Sequence, residues 1–312
     1  GRYGVRLTEL FDVFSSLFFG TDLHVTGMVQ TVVLKIRTPR IIGAILVGGA
    51  LSVAGTAYQG LFKNPMASPD ILGASSGAGF GAAVAILLSF SFTGIQTASF
   101  FFGLLATALT FFISAAVSRG KDVILILVLA GMVVSTLFSS FITMIKYVAD
   151  PFSKLPEITY WLMGGLNTIT LQDLRSVCLP MGLGLLVLML LRWQLNTMSF
   201  GDEEAKSMGV NTSRLRLAVI FSSTLLVSAA VSVSGIVGWV GLVVPHLARL
   251  LVGPNLKILM PASFLIGSIF LLTIDNIIRS AFTVEIPLGI LTSIIGAPFF
   301  VFLLRKRRKG WI

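Results

Sequence analysis

Few side chains in this sequence could do chemistry, and most of them are single charges set inside apolar runs. Asp275 and Arg279 are four residues apart, so they share a helix face and predict a local ion pair. Lys146, Arg192 and Arg249 are the other charges within apolar stretches. An ion-coupled secondary transporter could use Asp275 as its titrating group, but a carboxylate held ionised by an adjacent arginine is a poor proton relay. An intramembrane serine protease is the enzymatic alternative. Gly73-Ala74-Ser75-Ser76-Gly77 carries candidate nucleophiles and His246 a candidate base. Such chemistry needs hydroxyl and imidazole in contact, and nothing in the spacing brings them together. The small residues between 73 and 83 read more simply as a close-packing helix face.

Other reaction classes lack their parts. Gly120-Lys121 is followed by Asp122 and has Ala115 where a phosphate-binding loop needs its first glycine, so this chain cannot hydrolyse ATP by that route. The two histidines, His24 and His246, and the absence of H-E-x-x-H argue against a histidine-rich metal site. Cys178, alone in an apolar run, can form no internal disulfide. The expectation is a chain with no catalytic residue, no metal and no bound cofactor.

The elements that position these residues are apolar helices. Of 312 residues, 55% are hydrophobic and 12% charged, with a mean hydropathy of +0.95. A soluble protein of this length carries about twice that charge. A helix needs roughly 20 apolar residues to cross a bilayer, and about nine such segments fall near 41–61, 71–90, 95–117, 122–148, 173–192, 214–234, 238–252, 258–280 and 287–304. A membrane barrel would alternate apolar and polar residues, whereas Val123–Val134 is apolar at nearly every position. The fold class is therefore all-α, a polytopic membrane protein forming a single transmembrane domain over 1–312. The 122–148 segment would run about 40 Å and must tilt or project, and 238–252 only about 22 Å. The latter, with Pro245 inside it and Gly235, Gly238 and Gly253 beside it, is expected in the middle of the bundle.

The net charge of +10 fits Lys and Arg held at membrane surfaces, not nucleic-acid binding. The tail Arg305-Lys306-Arg307-Arg308-Lys309 should stay cytoplasmic, which places 253–257, 193–213, 118–121 and 62–70 inside as well, with Lys257, Lys206, Arg119, Lys121 and Lys63. An odd span count then leaves 1–40 outside, and implies a further span upstream of Gly1. Outside, Arg37-Thr38-Pro39-Arg40 after Lys35 breaks the charge rule. It either snorkels to lipid phosphates or docks an acidic partner through bidentate pairing, and Arg279 could join that face. Leu7, Leu10, Phe11, Phe14, Leu17 and Phe18 form one stripe of an interfacial helix. Residues 154–171 read as a half-span before Asn167, with Tyr160 and Trp161 at headgroup level, and could gate the outer side or lie inert on the surface. The polar stretch 199–213 opens on Asp202-Glu203-Glu204, carboxylates suited to a helix start, and Gly209 should stop that helix. Two short helices joined by glycine would make a knob for a cytoplasmic partner.

Several blocks in order then resemble the permease subunit of type II ABC importers, the FecCD-type family serving iron–siderophores, vitamin B12, haem and in some members molybdate or tungstate. They are Arg37-Thr38-Pro39-Arg40 leading into 46–50, Gln59–Pro69, Trp161-Leu162-Met163-Gly164-Gly165, Ala205–Val210, Gly238–Arg249 and Glu285-Ile286-Pro287-Leu288-Gly289. The resemblance runs from about Gly1 to Leu304. It implies a ten-span subunit whose first span is missing here, in the inner membrane of a bacterium or archaeon. It further implies a homodimer resting on two ATPase subunits that hold ATP and magnesium, loaded by an extracytoplasmic binding protein. By the same resemblance Arg37, Arg40 and Arg279 pair with glutamates of the binding protein. The 199–213 loop, with Asp202, Glu203, Glu204, Ala205, Ser207, Met208 and Gly209, matches the coupling helices seated on an ATPase. Asn64 and Met66 match a cytoplasmic gate, and Arg119–Asp122, with Lys121, a second constriction.

Overall fold

The computed structural model of the chain describes residues 3–19, 27–118, 123–282 and 284–306, all helical or in turns and connections. Lys121, Arg119, His24 and the tail beyond Lys306 lie outside the described residues. In chain order the helices are α1 (Leu7–Phe19), α2 (Gly27–Leu61), α3 (Ala74–Leu87), α4 (Phe92–Ser118), α5 (Val123–Val148), α6 (Lys154–Leu162), α7 (Leu171–Thr197), α8 (Asp202–Ser207), α9 (Thr212–Ser234), α10 (Val240–Val252), α11 (Leu256–Ala281) and α12 (Leu288–Lys306). By length and composition α2, α4, α5, α7, α9 and α11 can cross a membrane, while α3, α10 and α12 are shorter apolar helices. Each of the nine expected segments thus contains one helix.

Helix ends follow local side-chain chemistry. Thr170 and Asp173 form a reciprocal capping box at the start of α7. Asn211 accepts from the Arg214 N–H at 3.0 Å to open α9, and Asn255 accepts from the Lys257 N–H at 3.0 Å to open α11. Gly235 and Gly253, both at positive φ, end α9 and α10.

Two boundaries differ from the expectation. The 41–61 segment is the second part of a helix that already begins at Gly27. Thr31–Arg37 winds as a π-helix, closed by the Thr38 N–H on the Val33 carbonyl. That wide turn lets Pro39, which has no N–H to give, sit inside a continuous helix. The 71–90 segment is instead divided: a 3₁₀ turn, Pro69–Leu72, is separated by Gly73 (φ 84°) from the 14-residue α3, about 21 Å long.

Helices α2 and α9 form the centre, each with 78% of its most apolar window buried; α4, α5 and α7, at 28%, form the outer, more exposed ring. Small residues make the centre tight. A Cβ on Gly48 would overlap the carbonyl oxygen of Gly267 in α11, and one on Gly55 the carbonyl oxygen of Gly241 in α10. Gly77 and Gly81 likewise admit the α4 backbone at Phe102 and Ala98, so the small-residue run of 73–83 is a packing face. Helix α10 turns Val240, Val243, Val244 and Ala248 inward but exposes Leu250 and Leu251, so it lines the centre without being enclosed. Helix α1 packs Val13 and Leu10 against Val29 and Val33 and leaves Leu7 and Phe11 of the expected stripe exposed; the side chains of Phe14, Leu17 and Phe18 lie outside the described residues.

Candidate functional site

Polar networks form at two levels of α2. Arg40, just after the π-turn, is 6% exposed. Its Nε donates to Asp275 Oδ1 of α11 at 2.8 Å, and its Nη1 to Glu285 Oε1, in the connection before α12, at 2.9 Å. Asp275 is fully buried, and its Oδ2 lies 3.0 Å from Arg279 Nε, an ion pair without hydrogen-bond alignment. Arg279 also donates to Asn276 Oδ1 at 2.6 Å. The expected Asp275–Arg279 pair is therefore one link of an alternating chain: Glu285, Arg40, Asp275, Arg279. A buried charge is tolerable only with such partners.

Of the three arginines expected to face outward together, only Arg37 is free of carboxylates among the described residues. It is half-buried and donates to the Tyr3 carbonyl. Arg40 points into the bundle and Arg279 is largely covered, its side chain 15% exposed. Arg40, Tyr160, Asn167, Glu285 and Pro287 line a shallow depression at this end. Backbone bonds close its rim: Leu288 N–H to Gly164 O at 2.9 Å, Gly289 N–H to Met163 O at 3.1 Å, and Gly165 N–H to Ser234 O at 2.8 Å. Gly164 (φ 73°) makes that turn, so the half-helix α6 is stitched to α9 and α12.

Nineteen residues along α2 from Arg40, about 28 Å or one hydrocarbon thickness away, lies Gln59. Its Oε1 accepts from Arg249 Nη2 of α10 at 3.1 Å and its Nε2 donates to the Leu242 carbonyl at 3.2 Å. Just beyond, Asn64 Oδ1 accepts from the Met66 N–H at 2.9 Å, and Asn64 and Met66 are both exposed. The Ser75 hydroxyl donates to Asp70 in the preceding turn.

The 199–213 stretch holds one short helix where two were expected. α8 is anchored through buried Ala205 and Val210, a Val210 N–H to Ala205 O bond of 3.0 Å, and an Asp202 Oδ2–Arg216 Nη2 pair at 2.9 Å. After Gly209 (φ 82°) the chain passes straight into α9, because Asn211 already caps that helix. Glu203, Glu204, Lys206, Ser207, Met208 and Gly209 form the exposed crest, with Met208 53% exposed. Ala205 anchors from below.

Among the residues in these networks that had no role assigned from the sequence are Glu285, Gln59, Arg216 and Asn276. Each is a polar residue beside an apolar run, and that position was the available signal.

The charged networks thus gather around Arg40, around Gln59–Arg249 and at α8, while hydroxyls inside the helical bundle, such as those of Thr56 and Ser263, bond to one another or to helix backbone; no cluster of three or more His, Cys, Asp or Glu that could hold a metal occurs among the described residues. This architecture is that of a helical, multi-pass membrane protein. The chain belongs to the FecCD transport family, whose model matches residues 2–306. It is 39% identical over 310 residues to the molybdate import system permease protein MolB of Haemophilus influenzae, covering 99% of this chain and 91% of that one. It is 37% identical over 286 residues to the hemin transport system permease protein HmuU of Yersinia pestis, covering 88% and 84%. A solved chain assigned to a metal-chelate type ABC transporter, in an inward-facing conformation, superposes with a TM-score of 0.85 at 39% identity, covering 96% and 97%. The protein is a permease subunit of an ABC importer of the inner membrane, not an enzyme, and ATP hydrolysis belongs to a separate subunit.

Proposed function

We propose that two copies of this chain form the path for a metal chelate, with ferric siderophores, haem and cobalamin as the first group of substrates. The C-terminus is cytoplasmic, each copy rests on one ATPase subunit, and a binding protein docks on the side of the bundle where Arg37 and Arg40 lie. The single observation carrying this reading is the layering along α2: an arginine-rich level at Arg37 and Arg40, where the π-turn ends, a mostly apolar stretch of about one hydrocarbon thickness, and the Gln59–Arg249 level beside the 62–70 turn. The crest of α8 is the knob on which the ATPase pushes. Its fixed base at Ala205, Val210 and Arg216 makes it stiff enough to act as a lever, which a solvated connector would not be. ATP-driven closure of the ATPase pair moves that lever, so that Asn64, Met66 and Lys121 open or shut the cytoplasmic side as the α6 end does the reverse.

A small oxyanion such as molybdate or tungstate is the second reading, favoured by the nearly full-length similarity to MolB. The deciding experiment is uptake into proteoliposomes holding permease and ATPase, with the cognate binding protein outside, comparing ⁵⁵Fe-chelate, hemin and ⁹⁹Mo-molybdate. ATP-dependent accumulation of one of these identifies the substrate class. Accumulation without the ATPase would overturn the reading.

A further inference from the structure

We infer that Glu285 is an internal stand-in for an acidic side chain of the docking partner, occupying Arg40 until a partner carboxylate displaces it. This rests on the proposal that a binding protein docks at this end. The two carboxylates on Arg40 are unequal. Asp275 is fully buried, receives the Nε edge at 2.8 Å and is held from its other side by Arg279. Glu285 receives Nη1 at 2.9 Å, and its side chain is 41% exposed. A partly exposed ion pair contributes about 1 kcal/mol or less, whereas breaking a buried one costs several times that. Exchange at the Glu285 side is therefore cheap, and Asp275 keeps the guanidinium aimed while it happens.

The surroundings suit an incoming carboxylate. Arg40 Nη2 makes no hydrogen bond among the described residues, and the guanidinium borders the depression lined by Tyr160, Asn167 and Glu285. A carboxylate entering there meets one open N–H edge and one held by a replaceable acid, the fork geometry that arginine pairs with best. Arg37, Arg40 and Arg279 outnumber Asp275 and Glu285 at this end, so the patch attracts an acidic surface even while Glu285 is in place. Displacement has a structural consequence. Glu285 lies three residues before Leu288, whose N–H bonds the Gly164 carbonyl. Removing its ion pair loosens the connection that ties α12 to the rim at α6, so docking would relax the outer end without touching the buried centre.

The test measures docking of the cognate binding protein to the assembled permease–ATPase complex in nanodiscs. Glu285→Gln should tighten docking about fivefold, the value of a partly exposed pair. Glu157→Gln on α6, whose side chain is 51% exposed and 3.6 Å from Lys154, removes the same charge without touching Arg40 and should change affinity by less than twofold. In an Arg40→Gln background the gain from Glu285→Gln should vanish. Equal effects of Glu285→Gln and Glu157→Gln would overturn the inference, as would a gain that survives Arg40→Gln. Should Arg40→Gln fail to fold, the first comparison still decides. Arg37→Glu tests the underlying reading separately: if it leaves docking unchanged at low salt, the docking face itself is wrong.

Discussion

Arg40 and Asp275 are 235 residues apart in the chain and meet at 2.8 Å, tying together two helices whose backbones touch at Gly48 and Gly267. The ion pair and the glycine contact act on the same α2–α11 interface. One sets its register, and the other sets how close the two helices come.

Asp275→Asn leaves the Arg40 and Arg279 guanidiniums near one another with their shared counter-charge gone. Removing one partner of a buried pair costs about 3–5 kcal/mol. The variant should melt well below wild type in detergent, followed by size-exclusion chromatography after heating. An unchanged midpoint would show that water reaches this pair.

Gly55→Val should abolish recovery of monodisperse protein, since any Cβ there overlaps the Gly241 carbonyl. Gly182→Ala is the matched control, because a Cβ at Gly182 meets no atom within 4 Å. It should express like wild type, or slightly better through helix propensity.

A glycine inserted after Ser207 breaks the stiff link between the α8 crest and α9. ATP hydrolysis by the assembled complex should persist while coupled uptake falls at least about tenfold, a lost coupling of roughly 1.4 kcal/mol or more. Uptake that tracks hydrolysis as in wild type would remove α8 from the coupling role.

Arg37→Glu reverses charge at the one member of the Arg37, Arg40 and Arg279 set that pairs with no carboxylate among the described residues. Binding-protein affinity should fall several-fold at low ionic strength, and its dependence on salt should flatten, because screening acts on exposed charges. Titration between 20 mM and 300 mM salt reads both effects.

The apolar segments were legible because a membrane helix declares itself by composition over its whole length. Two of their boundaries were not. Lys35, Arg37 and Pro39 look like a break in the chain, yet the π-turn at Thr31–Arg37 absorbs the proline and α2 continues through them. The 71–90 run looks unbroken, yet Gly73 at positive φ divides it. The site divided in the same way. Asp275 and Arg279 are one helical turn apart, so their pairing could be read locally. Arg40 could not be placed inside the bundle from the sequence, because the partners that draw it there lie 235 and 245 residues away. The second short helix expected in 199–213 was lost to a local cap: Asn211 starts α9 before a separate turn can form.

The bare backbone contacts at Gly48–Gly267 and Gly55–Gly241 also limit how the subunit can change shape. Where side chains interdigitate, one helix can shift by re-sorting rotamers. Here backbone meets backbone at the tightest points, and a sliding step would drive one helix's peptide groups into the other's. Helices α2, α10 and α11 must travel as a single block, which leaves the bending to the looser lipid-side helices and to the glycine turns that join them.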